Sequence, residues 1–387
     1  MANEIFEVTD GKSDRAIIRV IGVGGGGCNT VNQMVETGID GVDFVCANTD
    51  RQHLERCKTT AILQLGAAIT RGLGAGSNPD VGRQAALEDK DRIRDLIEGT
   101  DLLFITAGMG GGTGTGAAPV IAEIAREMDV LTVAVVTKPF SFEGKKRLAA
   151  AQRGIEELEK FVDSMILIPN QKLSVVLGPK VTLTAAFKAA NDVLQNAVQG
   201  ISDLITRPGM VNVDFADVKT VMLNRGKAMM GTGSASGDDR AQRAVETALS
   251  SPLLDDIELA NARGVLVNIS CDNSLALDEI ELVMNRVMDI ASEDVDVKYG
   301  TSLDPALNGE LRVSVVATGL GGKHAAATVT SSVVTPITAA QTKRAVNLDE
   351  PAIIRVGNKK SIPDSLRDLV MDESLLDIPA FLRAQAD

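Results

Sequence analysis

Two glycine-rich segments each follow a short apolar run and open a helical pattern. Residues 22–29 read Gly-Val-Gly-Gly-Gly-Gly-Cys-Asn and follow the apolar run 16–21. Residues 107–119 read Ala-Gly-Met-Gly-Gly-Gly-Thr-Gly-Thr-Gly-Ala-Ala-Pro and follow the run 102–106. Backbone N–H groups at such turns, together with the dipole of the helix that follows, bind anions. The sequence therefore predicts phosphates held between two helix N-termini.

Apolar runs alternate with helical patterns through the first half of the chain. Besides the two runs above, residues 42–47, 131–136 and 165–168 are largely apolar and rich in Val, Ile and Leu. Such runs, separated by helices, are typical of a parallel sheet covered on both faces. Ligands of these sheets bind at the carboxyl ends of the strands, where both glycine loops lie.

The second half of the chain predicts a different arrangement. A long helical pattern over residues 182–205 ends at the breaker Arg207-Pro208-Gly209. We predict a Gly/Ser turn at 231–237 among further helices and strands, which together make an α+β domain with a mixed or antiparallel sheet. The predicted helices are 215–222, 239–249 and 276–290, and the predicted strands are 265–270, 295–299 and 311–317.

Composition narrows the class of partner. The net charge of -13 disfavours adhesion to nucleic acid or anionic lipid, and aromatic residues make up only 3% of the chain, with no Trp. The apolar stretches are too short to span a membrane, and the first residues lack the pattern of a secretory signal. We therefore expect a soluble, cytoplasmic protein whose partners are proteins.

The cysteines and histidines predict neither a disulfide nor a metal site. The four cysteines show no CxxC spacing, and nothing in the sequence places the two histidines near each other or near a glycine loop. Ligation by thiolate or imidazole and Ser-His-Asp chemistry are therefore not expected, and no metal ligand is assigned. These residues are Cys28, Cys46, Cys57, Cys271, His53 and His324.

The first loop has a rival interpretation. Gly22-x-Gly24-x-x-Gly27 matches GxGxxG, and Asp50 follows 23 residues later, close to the spacing of a ribose-binding acid in a nicotinamide or flavin enzyme. The glycines could also serve only tight turns and close packing. A dinucleotide fold needs no second, threonine-bearing glycine loop, and no lysine closes either loop as in a P-loop NTPase.

Two groups of polar residues suggest contacts to a nucleotide. Glu143 and Arg147 are one helical turn apart and could face a ribose and a phosphate, although an exposed ion pair explains them as well. Phe187 could stack on a base or belong to the helix core. Asn191 and Asp192 match the guanine edge, because a carboxylate accepts from both N1–H and the 2-amino group.

Asn212, Asp214 and Asp217 form the last polar constellation. Locally they resemble a helix N-terminus, with Asp214 as the cap and Asp217 in the first turn. The first half of the chain, however, contains no evident general base. The local pattern alone leaves their role open.

The end of the chain changes character. Residues 321–361 show no sustained period and predict a flexible tether, whereas residues 371–383 concentrate apolar side chains. This terminal segment suits a partner's groove, or it is a helix that docks back on its own domain.

Taken together, these motifs resemble the tubulin superfamily, in particular its bacterial cell-division branch, over nearly the whole chain. The loop Gly110-Gly-Gly-Thr-Gly-Thr-Gly116 matches the signature of the superfamily, and the other matching segments follow in order. These segments are residues 24–29, Asn191-Asp192, Asn212-x-Asp214-x-x-Asp217 and residues 376–383.

The resemblance implies a Rossmann-like parallel-sheet nucleotide domain, a long central helix, a smaller α+β domain and a flexible C-terminal tail. The implied boundaries are an N-terminal extension (1–15), a GTP-binding domain (16–180), the central helix (181–206), a catalytic loop and helix (207–224), the α+β domain (225–319), a linker (320–370) and a partner-binding peptide (371–387).

It further implies a GTPase that polymerises head to tail into the cytokinetic ring at midcell. Asn212, Asp214 and Asp217 would act on the GTP of the neighbouring subunit. The implied nucleotide-binding residues are Gly25, Gly26, Gly27, Cys28, Asn29, Asn48, Asp50, Gly76, Ser77, Gly110, Gly111, Gly112, Thr113, Gly114, Thr115, Gly116, Glu143, Arg147, Phe187, Asn191 and Asp192.

The implied ligands are GTP and GDP, with Mg²⁺ held mainly through phosphates and water and a monovalent cation as a further candidate. Membrane tethers and other division proteins would bind the terminal peptide, and neither nucleic acid nor direct membrane insertion is expected. The peptide residues are Leu376, Asp377, Ile378, Pro379, Phe381 and Leu382. Two alternatives remain at this point, namely a Rossmann oxidoreductase and a nucleotide-gated scaffold without turnover.

Overall fold

A computed structural model describes residues 16–320, apart from residues 60, 179, 208, 225, 255–261 and 293–294. These residues belong to one compact unit. The predicted N-terminal extension, most of the linker and the terminal peptide lie outside the described residues. None of the helices in the described part of the chain is long and apolar enough to cross a bilayer.

Ten strands form one continuous sheet. They are β1 (Ile18–Val23), β2 (Val42–Asn48), β3 (Ala61–Gln64), β4 (Leu102–Gly108), β5 (Leu131–Lys138), β6 (Ser164–Pro169), β7 (Gly226–Ser236), β8 (Gly264–Cys271), β9 (Asp296–Leu303) and β10 (Glu310–Leu320). Their order is β3-β2-β1-β4-β5-β6-β7-β10-β8-β9. Strands β1 to β6 pair in parallel, whereas β10 runs antiparallel to both β7 and β8. The predicted parallel sheet with a mixed second half is confirmed, and β3 is a strand that the sequence patterns did not reveal.

Twelve helices cover the sheet. They are α1 (Gly24–Thr37), α2 (Arg51–Leu54), α3 (Ala67–Thr70), α4 (Pro79–Glu88), α5 (Lys90–Ile97), α6 (Thr113–Glu127), α7 (Lys145–Leu158), α8 (Asn170–Leu177), α9 (Leu183–Thr206), α10 (Phe215–Met222), α11 (Arg240–Leu249) and α12 (Leu277–Met288). This count covers only the residues that the structure describes. Helix α1 begins at Gly24, inside the first glycine loop rather than after it.

The continuous apolar strands are buried on both faces, as their sequence predicts. Along β1, Val20 packs in a cluster with Ile201 of α9, whereas the next residue, Ile21, packs on the other face with Ile121 of α6. Because side chains alternate between the faces of a strand, most residues of such a strand must be apolar or small. The parallel sheet is therefore a rigid layer from whose edge the loops project.

One predicted element is wrong. The Gly/Ser segment 231–237 is not a turn, because most of it belongs to strand β7, which pairs with β10. Its glycines serve close packing against α11. A Cβ atom on Gly231 would come within 2.0 Å of the carbonyl oxygen of Ala248, and one on Gly233 within 2.2 Å of that of Ala244.

The carboxyl end of α9 reaches the edge of the sheet opposite the glycine loops. Thr206 packs on Gly41, directly before β2, and Arg207 forms ion pairs with Asp203 (3.1 Å) and Asp304 (3.0 Å). Burial raises the pKa of Asp203 to about 6, although Arg207 opposes this rise. These contacts fix where the chain leaves the central helix and enters residues 209–217.

Candidate active site

The two glycine loops lie side by side, as predicted, because β1 and β4 are neighbours in the sheet. The loops are so close that side chains would not fit between them. A Cβ atom on Gly24, whose φ is 72°, would come within 2.9 Å of the backbone nitrogen of Gly114. One on Gly26 would come within 3.2 Å of that of Gly108. Both loops therefore need glycine for contact with each other.

The threonines of the second loop hold the loop itself in place. Thr113 Oγ1 lies 2.6 Å from Thr49 Oγ1, and Thr115 Oγ1 accepts a hydrogen bond from the Gly110 N–H at 2.7 Å. Thr49, which the sequence analysis missed, also accepts from the Ala75 N–H at 2.9 Å. Its position, directly after β2, is the signal that could have identified it. These hydroxyls thus fix the relative positions of three loops.

The N-termini of α1 and α6 lie beside each other at the carboxyl ends of β1 and β4. Neither α1 nor α6 has a side-chain hydrogen bond at its N-cap within the described residues, so side chains do not cover their first-turn N–H groups. At Gly111 a Cβ atom would meet nothing within 4 Å. The arrangement therefore combines two helix dipoles with open space above the second loop, which is what a chain of phosphates requires.

The loops at residues 48–50 and 76–77 border the site on one side. The Gly112 N–H donates to the Gly76 carbonyl oxygen at 3.1 Å, and Ser77, the next residue, is exposed. Asn48 is buried, and its Oδ1 accepts from the Asp50 N–H at 3.3 Å. The carboxylate of Asp50 in turn caps α2. Residues 48–50 and 76–77 thus adjoin the second glycine loop, where the resemblance implies further nucleotide contacts.

Glu143 and Arg147 form the expected ion pair, at 2.9 Å between Nη1 and Oε2. The pair is not an isolated surface contact, because Glu143 also accepts from the Phe140 N–H at 2.9 Å and its side chain is only 9% exposed. Arg147 packs against Gly110, where an added Cβ atom would lie 2.8 Å from Arg147 Cγ. Both residues therefore border the second loop.

A cavity of about 850 Å³ lies between α1 and α9. Its lining includes Phe187, Asn191 and Asp192. Thr30 Oγ1 donates to Asn191 Oδ1 at 3.1 Å, and Gln33 Nε2 donates to Asp192 Oδ1. Among the described residues, Asn191 Nδ2 and Asp192 Oδ2 have no hydrogen-bond partner. One donor and one carboxylate oxygen thus remain available for a ligand.

Phe187 is not a core residue of the helix. Its ring is 40% exposed, lines this cavity and meets Phe140 edge to face at 5.6 Å between centroids. Asn29, from the first loop, also lines the cavity, which therefore joins the phosphate-binding edge. A flat aromatic ligand can occupy the cavity while its phosphates reach the helix N-termini.

The aspartates of α10 lie elsewhere. Asp214 is the N-cap residue, as the local pattern predicts, but its side chain makes no capping hydrogen bond, and it has no other polar partner among the described residues. Asn212 Oδ1 accepts from the Gly209 N–H at 2.9 Å, and Asp217 forms an ion pair with Lys298 at 3.2 Å. Stabilising the helix through a cap therefore does not explain the side chain of Asp214.

These aspartates and the glycine loops lie near opposite ends of helix α9. From Asp192 to Thr206, α9 rises about 21 Å along its axis, at 1.5 Å per residue. Residues 209–213 then run against β9, where Val211 and Thr301 exchange two hydrogen bonds of 2.9 Å. The structure thus brings the loops and the base cavity together, but it does not bring Asn212, Asp214 or Asp217 to them.

One expectation about the histidines is wrong. A Cβ atom on Gly25 would lie 3.8 Å from His53 Cε1, so this histidine does adjoin a glycine loop. Cys28 and Cys57 lie beside it, with all ligand atoms within 4.8 Å of one another. The sequence spacing could not show this, because the cluster forms only when the segments after β1 and β2 meet.

Comparison with known proteins agrees with this geometry. Residues 17–178 match the GTPase domain of the Tubulin/FtsZ family, and residues 226–321 match the C-terminal domain of the FtsZ family. The cell division protein FtsZ of Pseudomonas aeruginosa is 53% identical over 99% of this chain and 100% of its own length. That of Wigglesworthia glossinidia brevipalpis is 54% identical, with the same coverage.

Solved structures show the same architecture. An empty FtsZ dimer of M. jannaschii superposes with a TM-score of 0.77, at 44% identity, over 80% of this chain and 90% of that one. CetZ1 from Haloferax volcanii, a GDP-bound monomer, is only 21% identical but reaches a TM-score of 0.69 over 79% of this chain and 94% of its own. The latter likeness concerns the fold alone.

Proposed function

The chain belongs to the FtsZ family of tubulin-like cell-division GTPases, and we propose that it completes its active site only where two copies stack head to tail. It polymerises into the filaments of the cytokinetic ring. One subunit holds GTP on its two glycine loops. The next subunit supplies Asn212, Asp214 and Asp217.

The observation that carries this proposal is the position of the aspartates. Asp214 precedes α10 and Asp217 lies in its first turn, at the edge that the carboxyl end of α9 reaches, whereas the base cavity lies at the amino-terminal half of α9, so they cannot reach the nucleotide of their own chain. A copy translated along the sheet's strand direction would place this edge over the loops of its neighbour. Such a heterologous contact does not close on itself and therefore generates a filament.

Each group has a distinct task at the junction. The N–H groups of residues 25–29 and 110–114 bind the phosphates, with Arg147 beside them. Asp214 and Asp217 orient and polarise the attacking water. Phosphoryl transfer to water needs positioning and charge stabilisation rather than a covalent intermediate, and these residues supply both.

The side chains of the described residues fit a Mg²⁺ ion that is held mainly by the nucleotide and not by the protein. Mg²⁺ prefers oxygen ligands and keeps several waters. Within the described residues, the one group of three or more metal-binding side chains close enough to share an ion is Cys28, His53 and Cys57, whose soft donors do not suit Mg²⁺. The phosphates and water therefore supply most of the ligands of Mg²⁺, and a monovalent cation is a further candidate at the same place.

The cavity between α1 and α9 binds the guanine base. Asn191 and Asp192 read its edge, and Phe187 packs on its face. Replacing Asp192 by asparagine should lower the affinity for GTP by about 10- to 100-fold, because the amide no longer accepts two donors from guanine. The same variant should gain affinity for XTP relative to GTP, since the amide can donate to the 2-oxo group of xanthine.

Fluorescent-nucleotide displacement measures both affinities. Lys188→Ala is the matched control, because Lys188 lines the same cavity on the same helix and should leave the ratio of GTP to XTP affinity unchanged. An unaltered ratio in Asp192→Asn would show that this carboxylate does not contact the base.

Assembly and hydrolysis should rise together. Light scattering should increase on addition of GTP but not GDP, and phosphate release per subunit should fall towards zero as the protein is diluted below its assembly concentration. Full turnover by dilute monomers would contradict the proposal. A rate of GTP turnover per subunit that does not change as the protein assembles would also contradict the proposal.

The terminal peptide is the site for protein partners and membrane tethers. Residues 371–387 lie outside the described residues, and the proposal for them rests on their apolar sequence and on the family resemblance. Deleting them should leave GTP-dependent scattering intact and abolish capture by a membrane-tethering partner at the midcell division site. Capture that survives the deletion would refute this assignment.

A further inference from the structure

Three side chains with metal-binding atoms meet beside the first glycine loop. The thiols of Cys28 and Cys57 and the imidazole of His53 have ligand atoms that all lie within 4.8 Å of one another. A tetrahedral zinc ion with Zn–S bonds of about 2.3 Å separates its sulfur ligands by about 3.8 Å. Shifts of about 1 Å would therefore bring these ligands to bonding distance of one ion.

The fold, rather than the spacing along the chain, builds this cluster. Cys28 lies in the first turns of α1, which follows β1, whereas His53 and Cys57 follow the adjacent parallel strand β2. His53 and Cys57 are four residues apart, and Cys57 Sγ donates to the His53 carbonyl oxygen at 3.6 Å. Both side chains therefore sit on one side of this short segment, facing Cys28.

A fourth thiol lies next to this cluster. Cys46, on β2, is buried, and its thiol donates to the Cys28 carbonyl oxygen at 3.9 Å, although it lies outside the group whose ligand atoms are all within 4.8 Å of one another. Three cysteines and one histidine form a common ligand set of structural zinc sites. None of the four offers an oxygen ligand, so the set selects a soft ion such as Zn²⁺ and not the Mg²⁺ that accompanies a nucleotide.

The cluster needs only small shifts to bind an ion, and it is accessible. Cys28 is fully buried, and its thiol makes only two long hydrogen bonds, to the carbonyl oxygens of Gly22 (3.5 Å) and Ala47 (3.7 Å), so little is lost when it turns to a metal. His53 and Cys57 are partly exposed and provide the entry path. All four cysteines of the chain are in the free form.

We propose that Cys28, His53 and Cys57, completed by Cys46, bind one zinc ion. The ion would tie the start of α1, and thus the first glycine loop, to the segment after β2. Binding of the zinc ion would release the protons of the thiols. The test of this site requires no nucleotide.

The test uses the full chain, reduced and freed of metal, in buffer without nucleotide. One equivalent of Co²⁺ should produce thiolate-to-cobalt charge-transfer absorption and the intense visible bands of a tetrahedral ion, and Zn²⁺ should displace it. Cys57→Ser and His53→Gln should each weaken zinc binding by about 100-fold or more, since losing even a partner of a ligand costs about 10- to 100-fold.

Cys271→Ser is the matched control, because Cys271 lies on β8, away from the cluster, and should leave the cobalt spectrum unchanged. Absence of cobalt–thiolate absorption at one equivalent would overturn the proposal. So would a wild-type spectrum in both Cys57→Ser and His53→Gln, or a thiol count showing that the cysteines pair as a disulfide under these conditions instead of binding metal.

Discussion

Replacing Asp217 by alanine should lower GTP hydrolysis by about 100-fold or more, the usual contribution of a group that positions or activates a reacting water. GTP affinity should stay within about threefold of wild type. The two effects separate because Asp217 follows the carboxyl end of α9, whereas the loops proposed to bind the phosphates adjoin the base cavity at the amino-terminal half of that helix. A radiolabelled phosphate-release assay and nucleotide-binding titrations measure them independently.

The surroundings of Asp217 support a role outside its own subunit. Its carboxylate is 44% exposed, and Lys298 holds it at 3.2 Å, which raises the pKa of that lysine. An exposed ion pair of this kind contributes only about 0 to 1 kcal/mol to stability. Loss of the carboxylate should therefore leave the fold intact, so a large loss of activity would reflect chemistry at the junction.

Asp296→Ala is the matched control. Asp296 is the second carboxylate on Lys298, at 3.7 Å, and its exposure of 45% is close to that of Asp217. Its removal should change turnover by no more than about threefold, since a rim charge mainly affects association. Equal losses in the two variants would mean that the charge balance around Lys298, and not the position of Asp217, sets the rate.

Replacing Gly111 by aspartate should abolish GTP binding while preserving the fold. A Cβ atom at this position meets nothing within 4 Å, and Gly111 is not among the glycines with positive φ. The new side chain would therefore enter only the space proposed for the phosphates. Placing like charges together there costs several kcal/mol, so affinity should fall by about 100-fold or more.

Gly111→Asn separates charge from size, because asparagine has nearly the same volume as aspartate. It should retain markedly more GTP affinity than Gly111→Asp, and the gap should narrow as salt concentration rises. Thermal unfolding without nucleotide should be the same for both. Tight GTP binding by Gly111→Asp would show that the phosphates do not lie above this loop.

The fold could be predicted largely because it follows local rules. The runs at β1, β4 and β5 are largely apolar, and strands covered on both faces need that pattern. The same reasoning was wrong at Gly231, because this glycine allows close contact with Ala248 of α11 and does not form a turn. Such a contact depends on how α11 packs on the strand, which the sequence around Gly231 does not reveal.

The site could be predicted only in part. The glycine loops and the pair Asn191-Asp192 carry their chemistry in the sequence itself. The cluster around His53 depends on the pairing of β1 with β2, which spacing alone does not give. The task proposed for Asp214 depends on a second molecule. Only the family resemblance suggested it, and the structure adds the position of this residue at the far edge of the sheet.

The most direct test of a shared active site is to mix two inactive variants. Asp217→Ala binds GTP but lacks the aspartate, whereas Gly111→Asp keeps the aspartate but binds no GTP. Each alone should hydrolyse at about 1% of the wild-type rate or less. In an equimolar mixture about one junction in four pairs an intact loop with an intact aspartate, so phosphate release should recover towards about a quarter of the wild-type rate. A mixture no more active than its parts would contradict an active site shared between subunits.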